Sequence, residues 1–216
     1  MIQYTFKQLF YHLDSEQLKN ALAKYVPSGA LDDCVDWIRQ HRISVRIKHS
    51  RASRFGDYHP PQKGKGHKIT INHDLNAYAF LITFTHEVAH LTCFLKHGNS
   101  VYPHGQEWKR EFRYLLIPFI ERKIFPDDLT AAVKKYISDP AASSCSDADL
   151  QKALKRYDKR MEGWTLLEDL PLSAPFKIRN GKQFVKGNRL RKNYECYDLH
   201  SRHKYFIHPA MEVMLI

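Results

Sequence analysis

The feature that most constrains this sequence is an apolar stretch over residues 75–97, interrupted by only a few polar side chains. Its Ala, Phe, Leu, Ile and Val side chains fall on almost every side of a helix, at positions 79–82, 84, 88, 89, 91, 94 and 95. A helix that is apolar all round belongs at the centre of a core. Asn72-His73-Asp74 offers capping side chains at its start, and Gly98-Asn99 offers a stop at its end. The sequence therefore predicts a long buried helix around which a domain is built.

Shorter elements are predicted on both sides of this helix. Apolar residues three or four apart predict one or two helices between residues 4 and 25, and further helices over residues 31–40, 105–123 and 129–137. Alternating apolar residues predict strands at residues 43–47 and 68–72, with a short middle strand at residues 54–58. Residues 1–137 are therefore predicted to form an α+β domain that is mostly helical and contains a short three-stranded sheet.

The rest of the chain changes in character. Residues 138–174 are predicted to be a linker followed by a helix, for which Ser146 and Asp149 resemble a capping box. Residues 175–216 are predicted to form strands divided by two turn-prone pairs, Asn180-Gly181 and Gly187-Asn188. The sequence thus predicts a small β module at the end of the chain.

Cysteine usage and hydropathy narrow the class of protein. The four cysteines, Cys34, Cys93, Cys145 and Cys196, include no CxxC pair, which argues against a cysteine-rich zinc site or a disulfide scaffold. The first residues do not resemble a signal peptide, and no run of about 20 apolar residues is present. We therefore expect a cytoplasmic protein without a membrane partner.

The chemistry is concentrated in His86-Glu87-Val88-Ala89-His90, an HExxH motif on the predicted core helix. Residues four apart share one helix face, so both imidazoles can bind one zinc ion while a coordination position stays open for water. Glu87 can take a proton from that water as it attacks a carbonyl, which is the role of a general base. The alternative is that His86 and His90 are core histidines with hydrogen bonds to the backbone or to carboxylates.

A tetrahedral zinc site needs a third protein ligand. His104 is the preferred candidate, because Pro103-His104-Gly105 forms a turn that can bring its imidazole back over the first helix. His97 follows His90 by seven residues, one more than the HExxHxxGxxH spacing allows, and is better explained as a basic residue at a helix C-terminus. Glu107 and Glu111 remain as alternative ligands.

These motifs together resemble a known family. His86-Glu87-Val88-Ala89-His90 followed by His104-Gly105-Gln106-Glu107-Trp108 resembles the SprT-like (Spartan-type) metalloprotease domain, whose pattern is HExxH and then HGxxW. The resemblance covers roughly residues 4–136. It implies a zincin-like fold, one zinc ion held by His86, His90 and His104, and hydrolysis of peptide bonds. The best-known members of the family cleave proteins crosslinked to DNA.

The chain departs from the family at its C-terminal end. Many SprT-like proteins carry a zinc ribbon with two CxxC pairs, whereas the corresponding stretch here contains only Cys196. Residues 194–197 and 205–207 resemble the strands of such a ribbon. The β module is therefore expected to resemble a zinc ribbon that has lost its metal.

The β module is also strongly basic. Over residues 176–216, nine Lys or Arg residues oppose three acidic ones, a net charge of +6 out of +11 for the whole chain. The nine are residues 177, 179, 182, 186, 189, 191, 192, 202 and 204, and Phe184, Tyr194, Tyr197, Tyr205 and Phe206 lie among them. Basic strands with aromatic side chains suit nucleic-acid binding. The alternative is a small sheet with an aromatic core and solvated charges.

Two functions from different classes follow. The first is a zinc-dependent metallopeptidase that hydrolyses protein or peptide substrates, among them proteins associated with or crosslinked to DNA. The second is a nucleic-acid-binding or scaffolding protein whose zinc site is structural or silent. The intact Glu87 favours the first, because zinc binding alone does not require it.

Overall fold

The computed structural model describes residues 8–9, 13–51, 54–62, 66–140, 147–158, 163–209 and 211–216. The chain divides into two compact units, an N-terminal unit, Met1–Asp158, and a C-terminal unit, Lys159–Ile216. The N-terminal unit contains six α-helices among its described residues, and each unit contains its own sheet. The predicted α+β class is confirmed.

The helices of the N-terminal unit agree closely with the sequence pattern. They are α1 (Ser15–Leu22), α2 (Leu31–Gln40), α3 (Ala77–His97), α4 (Gln106–Glu121), α5 (Asp127–Ser138) and α6 (Ala148–Leu154). The long apolar stretch forms α3, and its residues from position 79 to 89 are all buried, as expected of a central helix. None of the helices that the structure describes is long and apolar enough to cross a bilayer.

The sheet of the N-terminal unit has four strands in the order β1-β2-β4-β3. They are β1 (Gln8–Leu9), β2 (Ser44–Lys48), β3 (Gly56–His59) and β4 (Lys68–Asn72). The three strands expected from the sequence are present, but the strand at 56–59 lies at an edge of the sheet and β4 lies inside it. β2 runs parallel to β4, and β3 runs antiparallel to it.

One N-terminal prediction is wrong for the residues that are described. Leu9, expected in a helix, lies in β1 and pairs with Val45. The spacing of apolar residues alone did not reveal this long-range pairing. Tyr4, Phe6 and Phe10, which belong to the same prediction, lie outside the described residues.

The N-caps of α3 and α6 also differ from the predictions. Asn76, rather than residues 72–74, caps α3: its Oδ1 accepts hydrogen bonds from the N–H groups of Tyr78 and Ala79 at 3.1 and 3.0 Å. Asn72 ends β4 instead, and its side chain donates to the carbonyls of Arg51 and Arg54. For α6 the cap is Asp147, whose carboxylate accepts from the N–H of Leu150; Ser146 lies outside the described residues.

The C-terminal unit is a six-stranded antiparallel sheet in the order β5-β10-β6-β7-β8-β9. The strands are β5 (Trp164–Leu166), β6 (Pro175–Lys177), β7 (Gln183–Arg189), β8 (Tyr194–Asp198), β9 (Lys204–Ile207) and β10 (Glu212–Leu215). β5 precedes the stretch in which strands were expected. The core of the C-terminal unit includes Phe176, Phe184, Cys196 and Val213.

The two predicted turns of this unit have different outcomes. Asn180-Gly181 does lie in a turn between β6 and β7, and Gly181 has a φ of 85°. Gly187-Asn188 lies inside β7, where the pairing with β8 shifts its register in a bulge between Lys186 and Arg189. Glycine is needed at position 187 because a Cβ there would overlap the carbonyl oxygen of Glu195. A pair of Gly and Asn thus occurs both in a turn and in a bulge, and the sequence alone does not distinguish the two.

Lys186 is buried in this unit, with only 4% of its surface exposed. Its ammonium donates hydrogen bonds to the carbonyl oxygens of Glu168 and Leu170 at 3.1 and 2.5 Å, and lies 4.1 Å from the ring centre of Tyr194. A buried cation needs such partners because its desolvation is costly. Lys186 therefore cross-links the unit and is not available to bind a phosphate.

Candidate metal centre

Three imidazoles converge at one point of the N-terminal unit. α3 presents His86 and His90 one turn apart, and His104 comes from the loop between α3 and α4. The Nε2 atom of His86 lies 3.3 Å from that of His90 and 3.2 Å from that of His104, and the third distance is 2.9 Å. Zinc–nitrogen bonds of about 2.0–2.1 Å in a tetrahedron place ligand nitrogens about 3.4 Å apart. The arrangement therefore fits a single zinc ion after shifts of a few tenths of an ångström.

His104 reaches this point through an unusual backbone conformation. Its φ is 60°, in the left-handed region that residues other than glycine seldom occupy. The N–H of Gly105 donates to the carbonyl of Tyr102 at 3.0 Å and closes the turn, and a Cβ at position 105 would lie only 3.0 Å from that same oxygen. Four other described residues that are not glycine also have a positive φ, so the conformation alone does not mark the site, but it directs the imidazole of His104 toward α3.

Trp108 forms the wall behind the three imidazoles. It is fully buried, and its ring centre lies 4.5 Å from that of His86, 5.2 Å from that of His90 and 4.7 Å from that of His104. Phe112, one turn later on α4, stacks on the indole at 5.2 Å. The tryptophan of the HGxxW pattern thus fixes the orientation of all three rings and keeps water away from one side of the cluster.

The three imidazoles are in the form that binds metals. Burial lowers the pKa of His86 well below its usual value, and the neighbouring His90 and His104 lower it further. Burial, followed by the proximity of His104, lowers the pKa of His90 to about 3, and burial also lowers the pKa of His104. All three are therefore neutral at pH 7, with lone pairs available for a cation. The buried Nδ1 of His86 has no hydrogen-bond partner among the described residues.

Glu87 lies beside the cluster, but its carboxylate is not one of the converging groups. The side chain is 6% exposed and accepts a hydrogen bond from the backbone N–H of Tyr58 in β3. Burial, assisted by the nearby Asp57 carboxylate, raises the pKa of Glu87 to about 8, while Arg51 and Arg54 oppose this rise. A cation at the three Nε2 atoms would also oppose it, because positive charge favours the ionised carboxylate.

The other ligands considered from the sequence do not join the cluster. Among the described residues, the group that could hold a metal ion consists of His86, His90 and His104 alone. Glu111 is instead paired with Lys96 at 2.7 Å. His97 occupies the last turn of α3, as expected of a basic residue at a helix C-terminus, and Gly98 ends that helix with a φ of 60°.

Sequence reasoning did not single out β3 as a part of the site. Gly56 approaches Glu87 so closely that a Cβ at position 56 would lie 2.6 Å from the Oε1 atom of the glutamate. The available signal was a glycine within a predicted strand, which often marks a close approach of another group. The partner of that approach could not be read from the sequence.

One of three comparisons with known proteins finds a match. The sequence model of the SprT-like family matches residues 18–115, slightly less than half of the chain. No curated protein and no solved structure matches the chain significantly. The matched segment runs from α1 into α4 and contains Glu87 and all three imidazoles. Over residues 18–115 the resemblance to the SprT-like family, inferred from HExxH and HGxxW, is confirmed.

Proposed function

We propose that this chain is a zinc-dependent metallopeptidase in which His86, His90 and His104 hold one zinc ion and Glu87 is the general base. The observation that carries the proposal is the convergence of three neutral imidazole nitrogens beside a buried carboxylate, within the segment that matches the SprT-like family. A buried glutamate with a raised pKa beside a metal-binding cluster is typical of acid–base catalysis.

Each residue has a defined role in this proposal. When bound, zinc supplies Lewis-acid chemistry that polarises the scissile carbonyl and acidifies water. Glu87 takes a proton from the attacking water while the water oxygen forms its bond to the carbonyl carbon. It then delivers a proton to the nitrogen of the leaving amine as the carbon–nitrogen bond breaks. Trp108 keeps the imidazoles in place throughout.

Metal removal tests the proposed activity. We expect the purified chain to cleave an unstructured protein such as casein, to lose this activity in a zinc chelator, and to regain it when one equivalent of zinc is restored. The reason is that the imidazoles and Glu87 alone cannot polarise the carbonyl. Gel analysis of the cleavage products is the measurement. Cleavage that continues in the metal-free protein would contradict a zinc-dependent mechanism.

We also propose that the C-terminal unit directs the enzyme to proteins associated with or crosslinked to DNA. Its aromatic side chains fall into two groups. Phe184 and Tyr194 belong to the core of the unit, whereas Phe206 is 59% exposed on the edge strand β9. Tyr197 lies on the face of β8 opposite the core, paired with Lys204. Tyr197 is half-buried and Phe206 is exposed, and aromatic rings at the surface of a sheet suit the stacking of unpaired bases.

The charges of the C-terminal unit support the same proposal. Arg179 and Lys204 are paired with Glu212 and Glu195 at 2.6 and 2.5 Å. Arg191, Lys192 and Arg202 form no ion pair within the described part of the chain, and all three are exposed. Cations that lack acidic partners are free to neutralise phosphates and release their counterions.

Charge reversal tests the nucleic-acid proposal. Replacing Arg189, Arg191 and Lys192 together with glutamate should weaken binding to a labelled single strand by at least about tenfold at low salt, because phosphate contacts dominate affinity. Sequence preference should not change, since these contacts carry no base information. Fluorescence anisotropy with single and double strands at two salt concentrations is the measurement.

The matched control replaces Lys24, Lys123 and Lys134 with glutamate. These are three exposed lysines of the N-terminal unit, so the net charge changes by the same amount. We expect this control to keep most of the binding, and we expect both triple variants to cleave casein as the wild type does. Equal losses in the two variants would show that general charge, not the C-terminal unit, attracts the nucleic acid. Absence of binding by the wild type at low salt would end the proposal.

A further inference from the structure

We propose that Gly56 of β3 is a positioning residue for the Glu87 carboxylate. In this proposal, the edge strand β3 holds the carboxylate of the general base in position. This inference rests on the proposed peptidase function. It assigns a function to a residue that lies outside both sequence motifs and is not one of the three converging imidazoles.

The contact is closer than any side chain at position 56 would allow. An added Cβ would lie 2.6 Å from Oε1 and 2.9 Å from Cγ of Glu87, and 2.7 Å from Cγ2 of Thr83. All three distances are too short for non-bonded atoms, whose optimal separation is about 3.5–4.0 Å. Gly56 is not among the residues with positive φ, so the glycine is required by this contact and not by its backbone conformation.

The same strand also supplies a hydrogen bond to the carboxylate. The backbone N–H of Tyr58, two residues after Gly56, donates to Glu87. Side chains two apart in a strand share a face, and the Tyr58 ring packs near Phe94, two turns after Glu87 on α3. Strand β3 therefore lies along α3, with Gly56 beside Thr83 and Glu87 and with Tyr58 farther along the helix.

Strand β4 holds β3 in this place. On the inner edge, all four residues of β3 pair with β4, in a register that places Gly56 opposite Ile71. The strand is thus held by its pairing with β4 on one edge and by its contact with α3.

A general base needs such a support because glutamate is flexible. Its carboxylate must lie within hydrogen-bond reach of the attacking water, and a misplacement of about 1 Å lowers rates by as much as about 100-fold. The absence of a side chain at position 56 leaves space for the carboxylate of Glu87, and the hydrogen bond from the N–H of Tyr58 orients that carboxylate. An added methyl group would push the carboxylate out of that place, while the three imidazoles would be unaffected.

The first test asks whether Gly56 acts on Glu87 itself. Thermal unfolding is measured for Gly56→Ala in the wild-type and in the Glu87→Ala background. We expect the substitution to lower Tm clearly in the wild type and by less than half as much in the second background, because Glu87→Ala removes two of the three close contacts. If Gly56→Ala does not fold alone, recovery of folding in the double variant gives the same answer. Equal losses in both backgrounds would overturn the proposal.

The second test asks whether the contact positions the base. Gly56→Ala should lower kcat for casein peptides by at least about tenfold, with KM and zinc content near the wild-type values, because only the proton-transfer geometry changes. Gly29→Ala is the control: its Cβ would lie 2.5 Å from Cδ1 of Ile124, a close contact that involves neither Glu87 nor the imidazoles. A kcat for Gly56→Ala equal to that of Gly29→Ala would contradict positioning.

A readout without hydrolysis separates this proposal from the function on which it rests. The visible absorption spectrum of the cobalt-loaded protein reports the surroundings of the metal. We expect Gly56→Ala and Glu87→Gln to change this spectrum, and Gly29→Ala to leave it as in the wild type. If the wild type cleaves nothing, the peptidase proposal fails, and the spectrum still decides whether Gly56 places Glu87. An unchanged spectrum in Gly56→Ala would overturn the positioning role of Gly56, even if the protein is an active enzyme.

Discussion

Replacing Glu87 with glutamine is expected to lower hydrolysis by at least about 100-fold while leaving the zinc in place. Glutamine has nearly the same shape, and its amide oxygen can still accept the hydrogen bond from the N–H of Tyr58. It cannot take a proton from water, however, so the step that generates the nucleophile is lost. The three imidazoles are untouched by the change, and metal content should stay at one equivalent.

The measurement is kcat/KM on a peptide substrate, together with elemental analysis and thermal unfolding of the same preparation. Glu107→Gln is a matched control, because Glu107 lies in the first turn of α4 near the cluster without belonging to it. We expect this control to keep its activity. Turnover by Glu87→Gln at the wild-type rate would remove Glu87 from the mechanism, and loss of zinc in that variant would make it a structural residue instead.

The central helix and its two histidines could be predicted from the sequence because the relevant physics is local. Apolar residues on all sides of residues 77–97 define a buried helix, and the i, i+4 spacing of His86 and His90 follows from helix geometry. His104 is different. Its imidazole reaches the cluster through a left-handed residue in a loop, and no periodicity encodes that conformation. The HGxxW resemblance supplied what the periodicity could not.

The features that sequence reasoning missed depend on contacts between distant parts of the chain. Asn76 is the cap of α3 and also donates to the carbonyl of Leu154, 78 positions later. Gly56 serves a glutamate 31 positions away. In both cases the residue type is informative, since asparagine favours caps and glycine favours close approach, but the partner is set by tertiary packing.

Some of the basic and aromatic residues counted in the β module are buried in its core. The count of nine cations includes Lys186, which is buried against two carbonyl oxygens, and the aromatic group includes two core rings. The alternative interpretation, a sheet with an aromatic core, is therefore correct for these residues, and the nucleic-acid interpretation stays a proposal for the others. Part of the pattern builds the core of the sheet, and the exposed remainder is the part proposed to contact nucleic acid. Strand alternation separates the two groups once the strand bounds are known, since Phe184 and Lys186 lie on one face of β7, and Tyr194 and Tyr197 lie on opposite faces of β8.

Removing the third imidazole should have the largest effect on metal binding. His104→Ala is expected to weaken zinc binding by more than about 100-fold, since loss of a mere supporting partner of a ligand already weakens it by about 10- to 100-fold. Two imidazoles from α3 leave half of a tetrahedral site without protein ligands. Competition with a chromophoric zinc chelator measures the affinity, and elemental analysis measures the zinc that survives purification.

The left-handed backbone at His104 requires a second variant. Alanine at a φ of 60° is strained, so His104→Ala can lose zinc through a distorted loop as well as through the missing ligand. His104→Asn tests this point, because asparagine tolerates the left-handed region better than alanine does. We expect both variants to lose zinc to the same extent and His97→Ala, at the end of α3, to retain it. Full retention of zinc by His104→Asn would remove His104 from the metal centre and reopen the choice between Glu107 and Glu111.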